Sequence, residues 1–321
     1  MKSIIIFVLL FFVTFLHAAP ISTGRVEVVT VKTAAPNNKE TKVPFRIPAR
    51  YDASRPEMWR VLVLFGGRNT DGVKEANGSL DFSQWADREG IFLVCPGFKD
   101  DNYWLPETWS GKALLDALAA IRQKYNICAS KLLFYGYSAG SQCSNLFPAW
   151  RPDIARAWVS HGCGVFHAPH PKMRDVPGLV TCGDADVGRF IAGREFVLNY
   201  RSQSVDMIWK TFPNLGHAVP PESTILARAF LGHYHNLHSE DLAPNAPAFP
   251  PSRAPMPVPA ARATRTAAEP EQSASHPFVG DDMDGVFYPA DDERVKRIQP
   301  EDRVNLPSEA IARAWGEPAS I

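Results

Sequence analysis

Short apolar runs and segments of helical period alternate along most of the chain. Arg60 to Phe65, Ile91 to Val94, Leu132 to Tyr135, Ala155 to His161, Leu179 to Cys182 and Met207 to Phe212 are brief, largely apolar and soon closed by glycine or proline. Runs of that length without polar alternation predict strands covered on both faces. Between them, Leu80 to Glu89 places Phe82, Trp85 and Ala86 on one side, and Gly111 to Tyr125 places Leu114, Leu115, Leu118, Ile121 and Tyr125 at helical spacing. These intervals, together with Gln142 to Trp150, Phe190 to Arg201 and Ile225 to His235, predict helices. Upstream, Arg25 to Val31 and Lys42 to Pro48 read as two outer strands joined by the polar turn Pro36-Asn37-Asn38-Lys39. The repeated strand-helix-strand order predicts an α/β architecture, a doubly wound, mostly parallel sheet with helices on both faces.

The pattern breaks at both ends. Met1-Lys2 is followed by an almost wholly apolar run from Ile4 to Leu16 and then by His17-Ala18-Ala19. One cation, a short greasy run and small residues describe a secretory signal peptide over residues 1–18, too short to span a bilayer comfortably. Cleavage after Ala18 fits best, because cleavage after Ala19 would leave Pro20 at the new terminus. The expectation is an exported protein, secreted or periplasmic, with no stable membrane span once the signal is removed. After Leu242 the chain turns rich in Pro, Ala, Ser and Arg, so 243–277 reads as an extended linker separating a main domain over 25–242 from a tail over 278–321. The tail regains apolar residues, with a short helix from Ser308 to Trp315. It is too small for a substantial core of its own, and is expected to dock on the main domain or stay partly mobile.

Composition narrows the partners. The 321 residues are 45% hydrophobic and carry a formal net charge of zero, with an isoelectric point near 7.1. A balanced charge provides no electrostatic footprint for nucleic acid or an anionic membrane surface. The five cysteines, Cys95, Cys128, Cys143, Cys163 and Cys182, cannot all pair, and none has the close CxxC spacing of a metal or redox site. Neither disulfide connectivity nor oligomeric state follows from them.

Chemistry concentrates at Gly136-Tyr137-Ser138-Ala139-Gly140, directly after the strand Leu132 to Tyr135. This is a G-x-S-x-G elbow, in which small residues let a strand turn sharply into a helix and leave the serine hydroxyl exposed. A serine needs a base to take its proton, and the base needs an acid to fix its tautomer. In this arrangement the partners follow in the order serine, acid, histidine. The strand ending at Cys182 runs into Gly183-Asp184-Ala185-Asp186, and the strand ending at Phe212 runs into Pro213-Asn214-Leu215-Gly216-His217. Ser138, Asp186 and His217 are therefore the candidate catalytic residues, with Asp184 as the alternative acid. The competing histidines His233, His235 and His238 are read as falling on the last helix, with no loop to project from. All three candidates follow the C-terminal ends of strands, the edge where open parallel sheets bind ligands.

An oxyanion in such a site needs two backbone N–H donors. Ala139, after the nucleophile, supplies one; Gly67 in Phe65-Gly66-Gly67-Arg68 is the candidate for the other, with Arg68 beside it. The aromatic loop Asn102 to Trp109 brings Trp104 and Trp109, with Arg68, as candidate substrate contacts. His161, Cys163, His167 and His170 lack recognised ligand spacing and are read as non-metal. Asp281-Asp282-Met283-Asp284-Gly285 lacks the acids of a calcium loop at its ends and is read as an acidic turn. No cofactor is expected.

These residues resemble the α/β-hydrolase superfamily, and within it the secreted esterases grouped with polyhydroxybutyrate depolymerases and feruloyl or acetylxylan esterases. The similarity runs from about Lys42 to His235. It rests on the approach from Pro48 to Phe65, Trp85-Ala86-Asp87 to Pro96, Tyr137-Ser138-Ala139-Gly140, Arg151-Pro152-Asp153, Gly183 to Asp186 and Gly216-His217. Where relatives carry His-Gly before the oxyanion residue, this chain has Phe65-Gly66-Gly67. The resemblance implies a serine hydrolase cleaving carboxylic esters of a small molecule or an extracellular polymer. A peptidase of the same fold and a non-catalytic polymer-binding protein are the alternatives.

Overall fold

A computed structural model describes residues 24–33, 40–99, 102–168, 171–201, 207–236 and 276–319. The signal-like segment, most of the proline-rich stretch, His170 and His238 lie outside the described residues.

Eight strands form one sheet: β1 (Arg25–Lys32), β2 (Glu40–Ile47), β3 (Val61–Phe65), β4 (Phe92–Val94), β5 (Leu132–Tyr137), β6 (Ala155–His161), β7 (Gly178–Gly183) and β8 (Met207–Phe212). Their order is β1-β2-β4-β3-β5-β6-β7-β8. The β1–β2 and β2–β4 pairs are antiparallel, and every pair from β4 to β8 is parallel. The helices are α1 (Gly72–Ala76), α2 (Ser83–Glu89), α3 (Gly111–Arg122), α4 (Ala139–Trp150), α5 (Val187–Arg201) and α6 (Pro221–Asn236).

Continuous apolar strands follow from cover on both faces. Along β3, Val61, Val63 and Phe65 join a core with Leu114 and Leu118 of α3 and Phe147 of α4. Leu62 and Leu64 point the other way, into a core with Trp85 of α2 and Leu226 and Phe230 of α6. The period of two along the strand assigns alternate side chains to the two helix layers. Asp87 of α2 ties one of these layers to the sheet. Its carboxylate accepts from Arg46 Nε (3.0 Å) and Nη2 (2.6 Å) on β2 and from the backbone N–H of Gly24 and Ala49 (both 3.2 Å).

Two local differences from the sequence expectation have simple causes. The expected helix from Leu80 starts only at Ser83, because Asp81 adopts a left-handed conformation with φ of 59°. The short α1 has too few residues for a periodic signal; Asp71 caps it by accepting from Val73 N–H at 2.9 Å.

The C-terminal segment forms a second, four-stranded sheet from β9 (Phe278–Asp281), β10 (Val286–Pro289), β11 (Arg303–Leu306) and β12 (Glu317–Pro318), ordered β11-β9-β10-β12, with α7 (Glu309–Trp315) between β11 and β12. Its apolar residues Phe287, Val304, Leu306, Ile311 and Trp315 are buried in the same cluster as Leu62, Leu179 and Ile208 of the large sheet. Trp315 donates from Nε1 to the Trp209 carbonyl at 2.8 Å, and the Lys210 ammonium lies 4.5 Å from the Trp315 ring centre. Arg194 of α5 reaches Asp282 (2.6 Å) and Asp302 (3.2 Å). A segment too small for its own core thus borrows one. Among the described residues no helix is long and apolar enough to cross a membrane.

Candidate functional site

The C-terminal ends of β3, β5, β7 and β8 lie on one sheet edge and are followed by Gly67, Ser138, Asp186 and His217 respectively. Ser138 stands between β5 and α4 with φ 57° and ψ −122°, a backbone conformation costing about 1–3 kcal/mol in a non-glycine residue. The surroundings hold it there. Its N–H donates to the His161 carbonyl at 3.0 Å, and its carbonyl accepts from the Ser141 hydroxyl. A side chain at Gly136 would overlap the Gly140 carbonyl, and one at Gly140 would overlap the carbonyls of Phe65 and Gly66. The two elbow glycines therefore let the turn close and let the first turn of α4 seat directly on the loop after β3.

That seating brings the loop to the serine. A Cβ built on Gly67 would lie 3.8 Å from Ser138 Cβ. Ala139 is the first residue of α4, so its N–H has no helical acceptor. The Thr70 hydroxyl donates to the Gly67 carbonyl at 2.9 Å and fixes that peptide.

Ser138 Oγ lies 2.7 Å from His217 Nε2, and His217 Nδ1 lies 2.6 Å from Asp186 Oδ2. Burial pushes the Asp186 pKa up, but hydrogen bonds from His217 and Arg189 outweigh it and hold the carboxyl below its ordinary value. The ionised carboxylate accepts only, so His217 carries its proton on Nδ1 and Nε2 accepts from the serine. Asp184 is exposed, and its N–H donates to the Phe212 carbonyl; among the described residues no hydrogen bond joins it to His217. The structure therefore joins Asp186, rather than Asp184, to Ser138 and His217.

Three neighbours set the position of His217. The Tyr137 ring stacks on the imidazole (centroids 5.1 Å, 28°) while its hydroxyl donates to the His217 carbonyl at 2.9 Å. Gly162, with φ of 60°, lies beneath; a Cβ there would be 3.3 Å from His217 Cε1 and Nδ1 and 3.7 Å from Asp186 Oδ2. His161, at the end of β6, donates from Nε2 to the Ala218 carbonyl at 2.7 Å, while its Nδ1 lies 2.7 Å from Thr181 Oγ1 and 2.8 Å from Ser223 Oγ. Burial lowers the His161 pKa to about 4, which keeps this imidazole neutral at neutral pH.

A cleft of about 280 Å³ opens over Ser138, lined by Arg68, Trp104, Ala139 and Gln142 of α4, Val165 and Arg189. Of the aromatic pair expected to contact substrate, only Trp104 lines it. Trp109 sits on a π-helical turn, Pro106–Ser110, and packs edge-to-face on Phe98 at 5.2 Å. Val165 is held by Asn145, whose Nδ2 donates to the Val165 carbonyl at 3.1 Å and whose Oδ1 accepts from His167 N–H at 3.1 Å. Arg189, Val165 and Gln142 were not singled out by the sequence. Only Arg189 carried a signal, as a cation three residues beyond the candidate acid.

All five cysteines are buried, and none of them forms a disulfide. No group of three or more His, Cys, Asp or Glu among the described residues is disposed to hold a metal. His161 and His167 have separate surroundings, His167 Nδ1 lying 2.9 Å from Tyr200 Oη.

No protein-family model matches the sequence, and no curated protein matches it. Solved structures match the fold. Serine hydrolase F of Staphylococcus aureus, a fluorophosphonate-binding protein, superposes with a TM-score of 0.53 at 11% identity, covering 67% of this chain and 99% of its own. A ferulic acid esterase of the anaerobic fungus Anaeromyces mucronatus gives 0.52 at 14%, covering 71% and 92%. The poly(3-hydroxybutyrate) depolymerase LpqC of Bordetella parapertussis gives 0.52 at 15%, covering 65% and 90%. The protein has the α/β-hydrolase fold. Within that fold, the parallel strands β3 to β8 present the serine, carboxylate and imidazole on one edge, and the antiparallel β1 and β2 extend the sheet beyond β4. The C-terminal sheet covers the far side of β8, at Trp209 and Lys210, rather than the cleft.

Proposed function

We propose that this protein is a serine hydrolase that cleaves carboxylic esters through an acyl-enzyme. The observation that carries the reading is the unbroken chain Ser138 Oγ, His217 Nε2, His217 Nδ1, Asp186 Oδ2, with links of 2.7 and 2.6 Å, beside the first backbone N–H of α4 at Ala139. In the proposed reaction Ser138 Oγ bonds to the carbonyl carbon as its proton passes to His217 Nε2. The negative charge that develops on the carbonyl oxygen is met by the N–H groups of Ala139 and Gly67. Collapse breaks the ester C–O bond, and His217 returns the proton to the leaving alkoxide. Water, deprotonated by the same nitrogen, then releases the acid and restores Ser138. Asp186 stays ionised and stabilises the imidazolium.

Ester rather than amide cleavage is favoured by the activities named for the similar structures, a ferulic acid esterase and a hydroxybutyrate polymer depolymerase. Export belongs to the same reading, on the strength of the apolar run Ile4 to Leu16 and the small residues after it. Ser138→Ala tests the function: hydrolysis of short-chain para-nitrophenyl esters should vanish while far-ultraviolet circular dichroism stays unchanged. Retained turnover would overturn it.

A further inference from the structure

Two guanidinium groups line the cleft over Ser138, Arg68 on the loop after β3 and Arg189 on the first turn of α5. Arg68 is exposed and has no carboxylate partner among the described residues. Arg189 gives one N–H to Asp186 Oδ1 at 2.9 Å and keeps 41% of its side chain accessible. A guanidinium has five donors in a planar fork, so most of those on Arg189 remain available to a ligand. The other walls, Trp104, Ala139, Gln142 and Val165, carry no charge. With Asp186 as the adjacent anion, the two guanidinium groups and this carboxylate sum to two positive charges against one negative, an excess of one. A single negative charge on the substrate neutralises it, whereas a dianion would leave net negative charge beside the developing oxyanion.

We propose that the cleft selects esters carrying a carboxylate, held between Arg68 and Arg189 while the ester carbonyl meets Ser138. The inference rests on the serine hydrolase reading above and adds a substrate class to it. Planar bidentate pairing of guanidinium with carboxylate supplies directional hydrogen bonds as well as charge. Trp104 offers the apolar wall for the intervening carbons. Because Arg68 is open to solvent, its share of the preference weakens with salt. The carboxylate belongs either to the acyl part or to the alcohol part, and matched substrates separate these.

The test uses the full-length protein and two pairs of esters that differ only in charge. The mono-para-nitrophenyl ester of adipic acid against its carboxamide analogue, para-nitrophenyl 5-carbamoylpentanoate, places the charge on the acyl side. para-Acetoxybenzoate against para-acetoxybenzamide places it on the alcohol side. In at least one pair the charged member should have a kcat/KM higher by about tenfold. In Arg68→Gln that ratio should fall towards one, and in Arg68→Glu it should invert. Raising salt should shrink the ratio in the wild type and leave it flat in Arg68→Gln. Binding is read separately by calorimetry with para-acetamidobenzoate and its benzamide analogue, in which an amide replaces the ester. Hydrolysis of the neutral esters with no charge preference in either pair would overturn the carboxylate inference and leave the hydrolase reading standing. Failure of every ester, together with no labelling of Ser138 by a neutral fluorophosphonate, would overturn the hydrolase reading. In that case, Arg68-dependent binding of para-acetamidobenzoate would still support the anion site, and its absence would overturn that too.

Discussion

His161 donates from Nε2 to the Ala218 carbonyl at 2.7 Å, and Ala218 directly follows His217. The backbone carbonyl of the same histidine accepts from Ser138 N–H at 3.0 Å. One buried residue therefore fixes the peptide of Ser138 and the loop of His217, from a strand that contributes no member of the proposed proton path. His161→Ala should lower kcat by about 10- to 100-fold through misplacement of His217, with KM little changed. His161→Gln, whose amide N–H₂ can reach Ala218, should recover part of that loss. Steady-state kinetics of both variants checks this; a change confined to KM would contradict it.

The same residue makes stability depend on pH. In the unfolded chain its imidazole takes up a proton near pH 6.5, whereas burial delays this to about pH 4 in the native protein. The unfolded state thus binds more protons between those values, and stability falls as pH is lowered through the window. The loss from His161 alone is about 2 kcal/mol at pH 5 relative to neutral pH. Urea midpoints at the two pH values should show this drop, and His161→Gln should reduce its slope.

Asp186→Asn should lower kcat by about four orders of magnitude with little effect on folding. An amide in place of the carboxylate no longer compels the Nδ1–H tautomer and does not balance the imidazolium. Asp184→Asn, by contrast, should leave kcat within about twofold, because that side chain is exposed. Equal losses in the two variants would contradict the assignment of the acid.

Gly162 tests the geometry from below. Its φ of 60° disfavours any L side chain, and a new methyl would lie 3.3 Å from the His217 ring. Gly162→Ala should therefore cost about 1–2 kcal/mol of stability and also reduce kcat by displacing the imidazole. Thermal melts and kinetics on the same preparation separate the two effects.

The C-terminal sheet should behave as part of the folding unit. Trp315 is 1% exposed and its indole N–H satisfies the Trp209 carbonyl. Trp315→Ala should cost about 3–5 kcal/mol by opening a cavity between the two sheets. A single cooperative unfolding transition shifted to lower urea is the expected result.

The arrangement of Ser138, Asp186 and His217 was legible because each follows a strand whose apolar run marks its own end. Local sequence therefore fixed both their order and their edge of the sheet. Arg189 and Val165 were not legible as walls of one cleft. Their meeting depends on the register of α5 and on Asn145 of α4 pinning the loop that carries Val165, contacts that leave no local pattern. Trp104 and Trp109 look equivalent in sequence, but Trp104 precedes the π-helical turn Pro106–Ser110 and lines the cleft, whereas Trp109 sits on that turn and packs on Phe98. In the C-terminal segment, strands of two to four residues are too short to show a period. Only its helix, with Ile311, Ala312 and Trp315 on one side, could be read.

The most direct measurement is active-site labelling of the full-length protein with a neutral fluorophosphonate, with the modified residue mapped by peptide mass spectrometry and Ser138→Ala as control. An activated nucleophile predicts modification at Ser138 alone, and none in the variant. Absence of labelling in a protein shown to be folded, or labelling at another serine, would contradict Ser138 as the nucleophile of a hydrolase.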